Sequence, residues 1–397
     1  MSMTRHANPR LPVMRPRSGG EQRPTFLEAF FDLVFVLAIT QLSHTLSSDL
    51  TLRGAAQTLF LLLVVWWAWI YTTWMTNWFD PESVPVRVVL LLGTLSSLIM
   101  SIAIPEAFGD RAGAFAGGYV ALQVIRNAFI VGATRPESPL HVAFRRILAW
   151  SVWTGAIWVA GAVVPGQARV GVWIAALLLD YAGPFAGYWT PGLGHTRTTD
   201  WELEDAHFAE RFQLFIIIAL GESITVAGAT GSGHRLTNVG WLAIAASFVL
   251  TAALWWLYFD EIARRSAEDF KAAADNRGRL GRDAYTYLHI PIVAGIILSA
   301  VGAGLTIAGP DAPLGARGQL ALAAGPILYL LGHLGFRLRM IGSLAPGRIA
   351  AILAIVVAAL ATSRAPSLVS LVAVTAVLCV LSGAETAGRL LRSSPDC

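Results

Sequence analysis

Charged side chains are scarce in this chain: Asp, Glu, Lys and Arg make up 14% of 397 residues, where a soluble domain carries roughly 25%. With 55% of residues hydrophobic and a mean hydropathy of +0.59, too few polar groups remain to cover a water-soluble globule. Cysteine is nearly absent. Cys379 and Cys397 lie in the last apolar stretch and at the chain end, which excludes a disulfide framework or a cysteine metal site. No Gly-rich phosphate loop precedes a helix and no Gly-x-Ser-x-Gly elbow occurs. His-x-x-Glu appears once, at His207 and Glu210, without the second pair that a helix-bundle metal site requires. Neither a metal nor a cofactor is expected. The net charge is +4, but the basic residues are scattered among loops rather than gathered on one face, which argues against a nucleic-acid partner. Residues 1–25 form a basic tail with Arg5, Arg10, Arg15, Arg17 and Arg23. They lack the apolar core and cleavage site of a secretory signal, so the first apolar segment is expected to be retained.

What the chain has in abundance is long apolar segments. Taking about 20 apolar residues as one membrane span, twelve helices are expected, at 27–46, 54–78, 86–104, 113–132, 144–164, 169–189, 208–228, 239–259, 285–308, 317–336, 348–363 and 366–388. The expected fold is an all-α integral membrane protein with the lipid bilayer as its first partner. Of the 29 Lys and Arg residues, 22 fall on the side shared by both termini, six on the other side, and Arg126 lies inside helix 4. Cytoplasmic loops retain basic residues, so both termini are expected in the cytoplasm.

The second half echoes the first. Phe26-x-Glu28-x-Phe30 matches Phe208-x-Glu210-x-Phe212, Trp66-Trp67 matches Trp255-Trp256, Gly93 matches Gly295, and Arg146-Ile147 matches Arg348-Ile349, all in the same order. An ancient duplication leaves such marks. Six helices per repeat is an even number, so the halves would be parallel and related by an axis along the membrane normal. The expected division is a tail over 1–25, a first six-helix repeat over 26–190, an acidic linker over 191–207, a second repeat over 208–390 and a short tail over 391–397. The linker's Asp200, Glu202, Glu204 and Asp205, and the 260–284 connection with Arg264 and Arg265 four residues before Glu268 and Asp269, read as solvated faces or as regulatory contacts.

Several ionisable residues fall inside apolar helices, where a charge is costly and marks a candidate site. Glu28 and Asp32 lie four residues apart, about 40° around the helix axis, and Ser43 continues their stripe. His207, Glu210 and Arg211 open helix 7, with Glu222 on the stripe of Arg211. Glu28 reads as an interfacial carboxylate near the positive end of helix 1 or as part of a site. Asp32 and Glu222 read as structural ion pairs or as a substrate or proton site, and Gly221 would permit close helix approach beside Glu222. Asp180 sits near mid-depth in helix 6, four residues before Pro184. Arg126, His289 and His333 are the candidate charge partners. The aromatic stripe Trp67, Tyr71, Trp74 and Trp78, like Trp255, Trp256, Tyr258 and Phe259, reads as an interfacial belt or as a stacking wall for an amphipathic substrate.

In Glu28-Ala-Phe-Phe-Asp-Leu-Val-Phe-Val36 and His207-Phe-Ala-Glu-Arg-Phe-Gln-Leu-Phe-Ile-Ile-Ile-Ala-Leu-Gly-Glu-Ser223 the chain resembles the bacterial low temperature requirement A family of membrane proteins, over approximately residues 20–390. The resemblance implies that Glu28, Asp32, His207, Glu210, Arg211, Gly221 and Glu222 occupy the family's motif positions, and that the protein is an inner-membrane protein with a role in stress adaptation. It supplies no substrate. The expected function is a permease or transporter-like protein for an unknown small molecule. The alternatives are an intramembrane enzyme acting on a lipid-like substrate, with His207, Glu210 or Asp32 as acid or base, and a non-transporting factor whose polar residues lock helix packing. Oligomeric state is not legible.

Overall fold

The computed structural model describes residues 13–15, 23–196, 205–233, 236–263 and 281–393. Twelve α-helices fill it: α1 (Phe26–Ser48), α2 (Leu52–Trp78), α3 (Val84–Ala103), α4 (Ala112–Ala133), α5 (Pro139–Val163), α6 (Gln167–Ala182), α7 (Asp205–Ser232), α8 (Asn238–Leu257), α9 (His289–Ala308), α10 (Gly315–Ile341), α11 (Pro346–Ala361) and α12 (Ser367–Ser393). A π-helical turn, Tyr258–Ala263, extends α8, and another, Gly281–Tyr287, leads into α9. Arg264, Arg265, Glu268, Asp269, Asp200, Glu202, Glu204 and Cys397 lie outside the described residues.

Local chemistry sets the helix ends. Thr25, Thr51, Ser138 and Thr237 each accept a backbone N–H in the first turn, satisfying donors that the helix cannot. Pro139 and Pro346 occupy first positions, where a missing N–H costs nothing. Gly342, with φ of +70°, closes α10 in the left-handed conformation that glycine adopts without strain.

Ten of the helical segments are long and apolar enough to cross a membrane; α11, with 16 residues, is shorter. Helix α6 also has 16 residues and ends seven positions before the expected 189. At about 24 Å these two fall short of a hydrocarbon core of roughly 30 Å. The apolar run continues to Trp189, but Pro184 has no N–H to carry the helix on, and Gly187 and Tyr188 turn the backbone at φ of 58° and 49°.

In the first half α3 packs on α4, α4 on α5 and α5 on α6; in the second, α9 packs on α10, α10 on α11 and α11 on α12, which also meets α8. Helices α1 and α7 join the halves, lying against one another and against α9. The α9–α10 contact is built on glycine: a Cβ at Gly295 would lie 2.5 Å from the Tyr329 nitrogen. A short stretch at Val13–Arg15 docks on the end of α2, where Arg15 N donates to Trp78 O (3.0 Å) and Asp80 N to Val13 O (2.9 Å).

Candidate functional site

Helices α1 and α7 run side by side in the same direction and pair residue for residue. His207 Nε2 meets Glu28 Oε1 at 2.8 Å, Arg211 Nη2 donates to Asp32 Oδ1 at 2.8 Å, the Phe35 and Phe215 rings pack 6.3 Å apart, and Thr40 Oγ1 donates to Glu222 Oε2. The offset between hydrogen-bonded partners stays between 179 and 182 residues. Two four-residue spacings, Glu28 to Asp32 and His207 to Arg211, place one rung above the other, because residues four apart share a helix face.

The lower rung is fully satisfied. Glu28 Oε2 accepts from Arg15 Nη2 (2.8 Å), from Thr25 N (2.8 Å) and from the Thr25 hydroxyl (3.1 Å), while Thr25 caps Glu28 N in return. His207 Nδ1 faces Asn77 Nδ2 at 3.3 Å, so both ring nitrogens are engaged within the protein. Glu28 is buried within the protein, in the first turn of α1. Thr25→Ala removes the cap and one Glu28 contact together. It is expected to cost about 1–2 kcal/mol, read as a lowered melting temperature in detergent, with Thr25→Ser retaining the wild-type value.

The second rung is tighter in charge and poorer in hydrogen bonds. Asp32 Oδ1 also accepts from Trp69 Nε1 at 2.8 Å, and the Arg211 guanidinium lies 5.8 Å from the Trp69 ring centre. Asp32 Oδ2, Arg211 Nε and Arg211 Nη1 have no hydrogen-bond partner among the described residues. Phe31, Phe35, Trp66, Phe212 and Phe215 surround them, all essentially unexposed. At the third rung Glu222 forms no ion pair among the described residues. Glu222 is buried, and its Oε1 has no hydrogen-bond partner among the described residues. One turn further along, α1, α7 and α9 part into a crevice of about 280 Å³ lined by Ser43, His44, Ser47 and Thr230 among others.

The remaining sequence candidates are placed elsewhere. Glu210 is half-buried on α7. A Cβ at Gly221 would meet nothing within 4 Å, so close helix approach there, expected from the sequence, does not occur. Asp180 lies in the first half, where its Oδ2 accepts from Tyr119 Oη (2.8 Å) and Trp158 Nε1 (2.9 Å). Arg126 reaches it only through a relay: its guanidinium donates to Gln123 Oε1, and Gln123 Nε2 donates to Tyr119 Oη at 3.0 Å. Arg126 also stands 5.0 Å from the Tyr71 ring centre. His289 Nε2 meets Tyr258 Oη at 2.9 Å, and His333 Nδ1 accepts from Arg348 Nη1 at 2.7 Å. These bonds, rather than direct pairing with Asp32, Asp180 or Glu222, define Arg126, His289 and His333.

Sequence reasoning missed Arg348 as a buried cation. It grips Glu385 with two bonds of 2.9 Å, from Nε and Nη2, the bidentate geometry that suits guanidinium to carboxylate. The sole signal was the Arg146-Ile147 and Arg348-Ile349 match. Trp67, Tyr71, Trp74 and Trp78 are buried, not spread along a lipid interface. Trp67 stacks on Tyr181 with ring centres 4.1 Å apart, and the cleft beside this stripe holds about 20 Å³. Trp255 and Trp256 are each 44% exposed, as belt residues are.

Comparison with known proteins places these motifs. The family model described as bacterial low temperature requirement A protein (LtrA) matches residues 23–383, which include all three rungs. An uncharacterized protein of Rhizobium meliloti (strain 1021) is 38% identical over 322 residues, covering 80% of this chain and 78% of that one. No solved structure matches the chain. The chain belongs to the bacterial low temperature requirement A family and is one of its multi-pass helical membrane proteins.

Proposed function

We propose that the protein is a permease that moves a small molecule across the bacterial inner membrane along the seam between two parallel six-helix repeats. The observation that carries this reading is the asymmetry of the α1–α7 seam. At the end where both helices begin, it is bolted by Glu28–His207 and Asp32–Arg211; at the end where they finish, it parts into the 280 Å³ crevice. A seam closed at one end and parted at the other is the geometry of a carrier caught on one side of its cycle, with rocking of one repeat against the other as the motion. Breaking the bolt would open the other end.

Two observations support the duplication. Ungapped alignment of the halves makes Thr40 equivalent to Glu222, and these two residues touch, as equivalent residues must where a two-fold axis passes between equivalent helices. The helices α1 and α7 also run parallel, as repeats related by an axis along the membrane normal do. The 22-to-6 distribution of Lys and Arg supports cytoplasmic termini, which puts the bolted end on the cytoplasmic side. An enzymatic reading is less well supported: both nitrogens of His207 are engaged, and the cleft beside Trp67 has room for about one water.

The test is an untargeted comparison of metabolites and lipids in cells lacking the protein, complemented with wild type, Asp32→Asn or Glu222→Gln at equal membrane abundance. Wild type is expected to restore the profile and both variants to leave it altered by about tenfold in the transported species. Full restoration by both variants overturns the carboxylate site; a change confined to lipid products that accumulate without a concentration difference across the membrane overturns transport in favour of an enzyme.

A further inference from the structure

The crevice where α1 and α7 finish leads to a carboxyl, Glu222, that forms no ion pair among the described residues. Glu222 is unexposed, yet it has a single hydrogen bond, from the Thr40 hydroxyl to Oε2, and its Oε1 has no hydrogen-bond partner among the described residues. Asp32, by contrast, has Arg211 and Trp69, and Glu28 has Arg15 and His207. Leaving a carboxylate this far from water with a single donor is costly by several kcal/mol, and binding a proton removes the charge. Among the described residues no group of three or more His, Cys, Asp or Glu stands where it could hold a metal ion, and a hard cation seeks about six oxygens.

A route for the proton is present. Ser43 lies one turn beyond Thr40 on α1, beside Glu222; it is 2% exposed, its Oγ has no hydrogen-bond partner among the described residues, and it lines the crevice. Val226, one turn beyond Glu222 on α7, lines the crevice as well. Glu222 therefore sits directly beneath the crevice floor, with a hydroxyl between.

The ionisable surroundings are sparse on every packed element. On α1 the group facing Glu222 is His44, which also lines the crevice. Helix α8 carries no Asp, Glu, Lys, Arg or His between Asn238 and Leu257, and the single such residue of α9, His289, lies at the opposite end. Arg53 at the start of α2 is exposed. His234 and Arg235 lie outside the described residues.

We propose that Glu222 is a proton-binding site loaded through Ser43 from the crevice where α1 and α7 finish. The proton enters from water in the crevice, passes along the Ser43 hydroxyl and forms an O–H bond at the Glu222 carboxylate; release reverses the path. Coupling of this proton to a transported molecule rests on the permease reading, whereas the binding event itself does not.

The experiment is carbodiimide labelling of the full chain in membrane vesicles. Dicyclohexylcarbodiimide adds to a carboxyl in its protonated form, and peptide mass spectrometry locates the adduct. Label at Glu222 is expected to be about fivefold or more greater at about pH 5.5 than at about pH 8.5, absent in Glu222→Gln, and slowed in Ser43→Ala, which removes the hydroxyl and adds no bulk. Glu222→Asp guards against misfolding of the Gln variant, and it should label with the same direction of pH dependence. Label at Glu222 that does not change with pH, or no label on the wild-type residue at either pH, overturns the site. Those results leave the metabolite comparison standing, and full restoration of the profile by Glu222→Gln would overturn the carrier role while leaving the labelling result standing.

Discussion

Replacing Arg211 by Met is expected to destabilise the protein by about 3–5 kcal/mol, the range for stripping one partner from a buried ion pair. Both members of the pair are enclosed, with Asp32 1% and Arg211 0% exposed, so water cannot take the place of the lost guanidinium. What remains is an Asp32 carboxylate held by Trp69 Nε1 alone, inside a shell of phenylalanine rings. The cost belongs to the orphaned charge rather than to the pair. Adding Asp32→Asn to Arg211→Met removes that charge and keeps an oxygen for Trp69. The double variant is therefore expected to recover to within about 1–2 kcal/mol of wild type. Thermal unfolding of the purified protein in detergent, run as a double-mutant cycle, measures this directly. Additive losses in the double variant would mean that the two side chains contribute independently and that the bolt is not a pair. If the bolt gates the seam, the double variant folds and still fails the metabolite comparison, which separates a packing role from a working one.

The two halves of the chain differ at this position. Ungapped alignment places Leu214 opposite Asp32, so one half of the seam presents an aliphatic side chain where the other presents a carboxylate. The site is asymmetric, with Asp32 supplied by the first half and Glu222 by the second.

Much of this was legible before the fold. Glu28 and Asp32 share a face because they are four residues apart, as do His207 and Arg211, and an apolar helix with a polar stripe must turn that stripe toward protein. The spacing did not say which helix receives the stripe. Arg126 was the arginine named as a candidate charge partner, whereas Arg211 is the one that pairs with Asp32, and that choice depends on α1 lying against α7, a fact of tertiary packing that no periodicity encodes. The Asp180 relay was illegible for a related reason: Tyr119 and Gln123 are uncharged and four residues apart on α4, whose one charged residue is Arg126, so nothing distinguished them from interfacial or core residues. Arg348 and Glu385 were hidden by position, since each lies near a helix end, where charge is ordinary. The aromatic stripe of α2 fits both a belt and a core by spacing alone; burial on all sides by Tyr181, Tyr287, Phe144 and Phe208 decides for the core.

Gly295→Ala and Gly93→Ala, equivalent by sequence, are expected to differ by about 2–4 kcal/mol in stability. A Cβ at Gly295 would lie 2.5 Å from Tyr329 N and 2.7 Å from Gly325 O. Both are backbone atoms of α10, so the helices themselves must separate. The contact is also reinforced along its length, because a Cβ at Gly302 would lie 2.6 Å from Leu322 Cα and one at Gly332 2.6 Å from Ile292 Cγ1. Spreading α9 from α10 at one point loosens the neighbouring turns too, and the full overpacking cost follows. At Gly93 the nearest atom is Leu122 Cδ1, at 2.9 Å, the tip of a side chain that can rotate away. There the gain in helix propensity of about 1 kcal/mol offsets most of the crowding, and the change is close to neutral. The first half makes its own close approach through a different residue: a Cβ at Gly118 would lie 2.7 Å from Ser96 O, so Gly118→Ala should behave like Gly295→Ala. Melting temperatures of the three variants in one detergent test this. Equal losses at Gly93 and Gly295 would show that α3 and α4 are as tightly joined at that level as α9 and α10, and the two halves would then share a packing mechanism that their close contacts do not display.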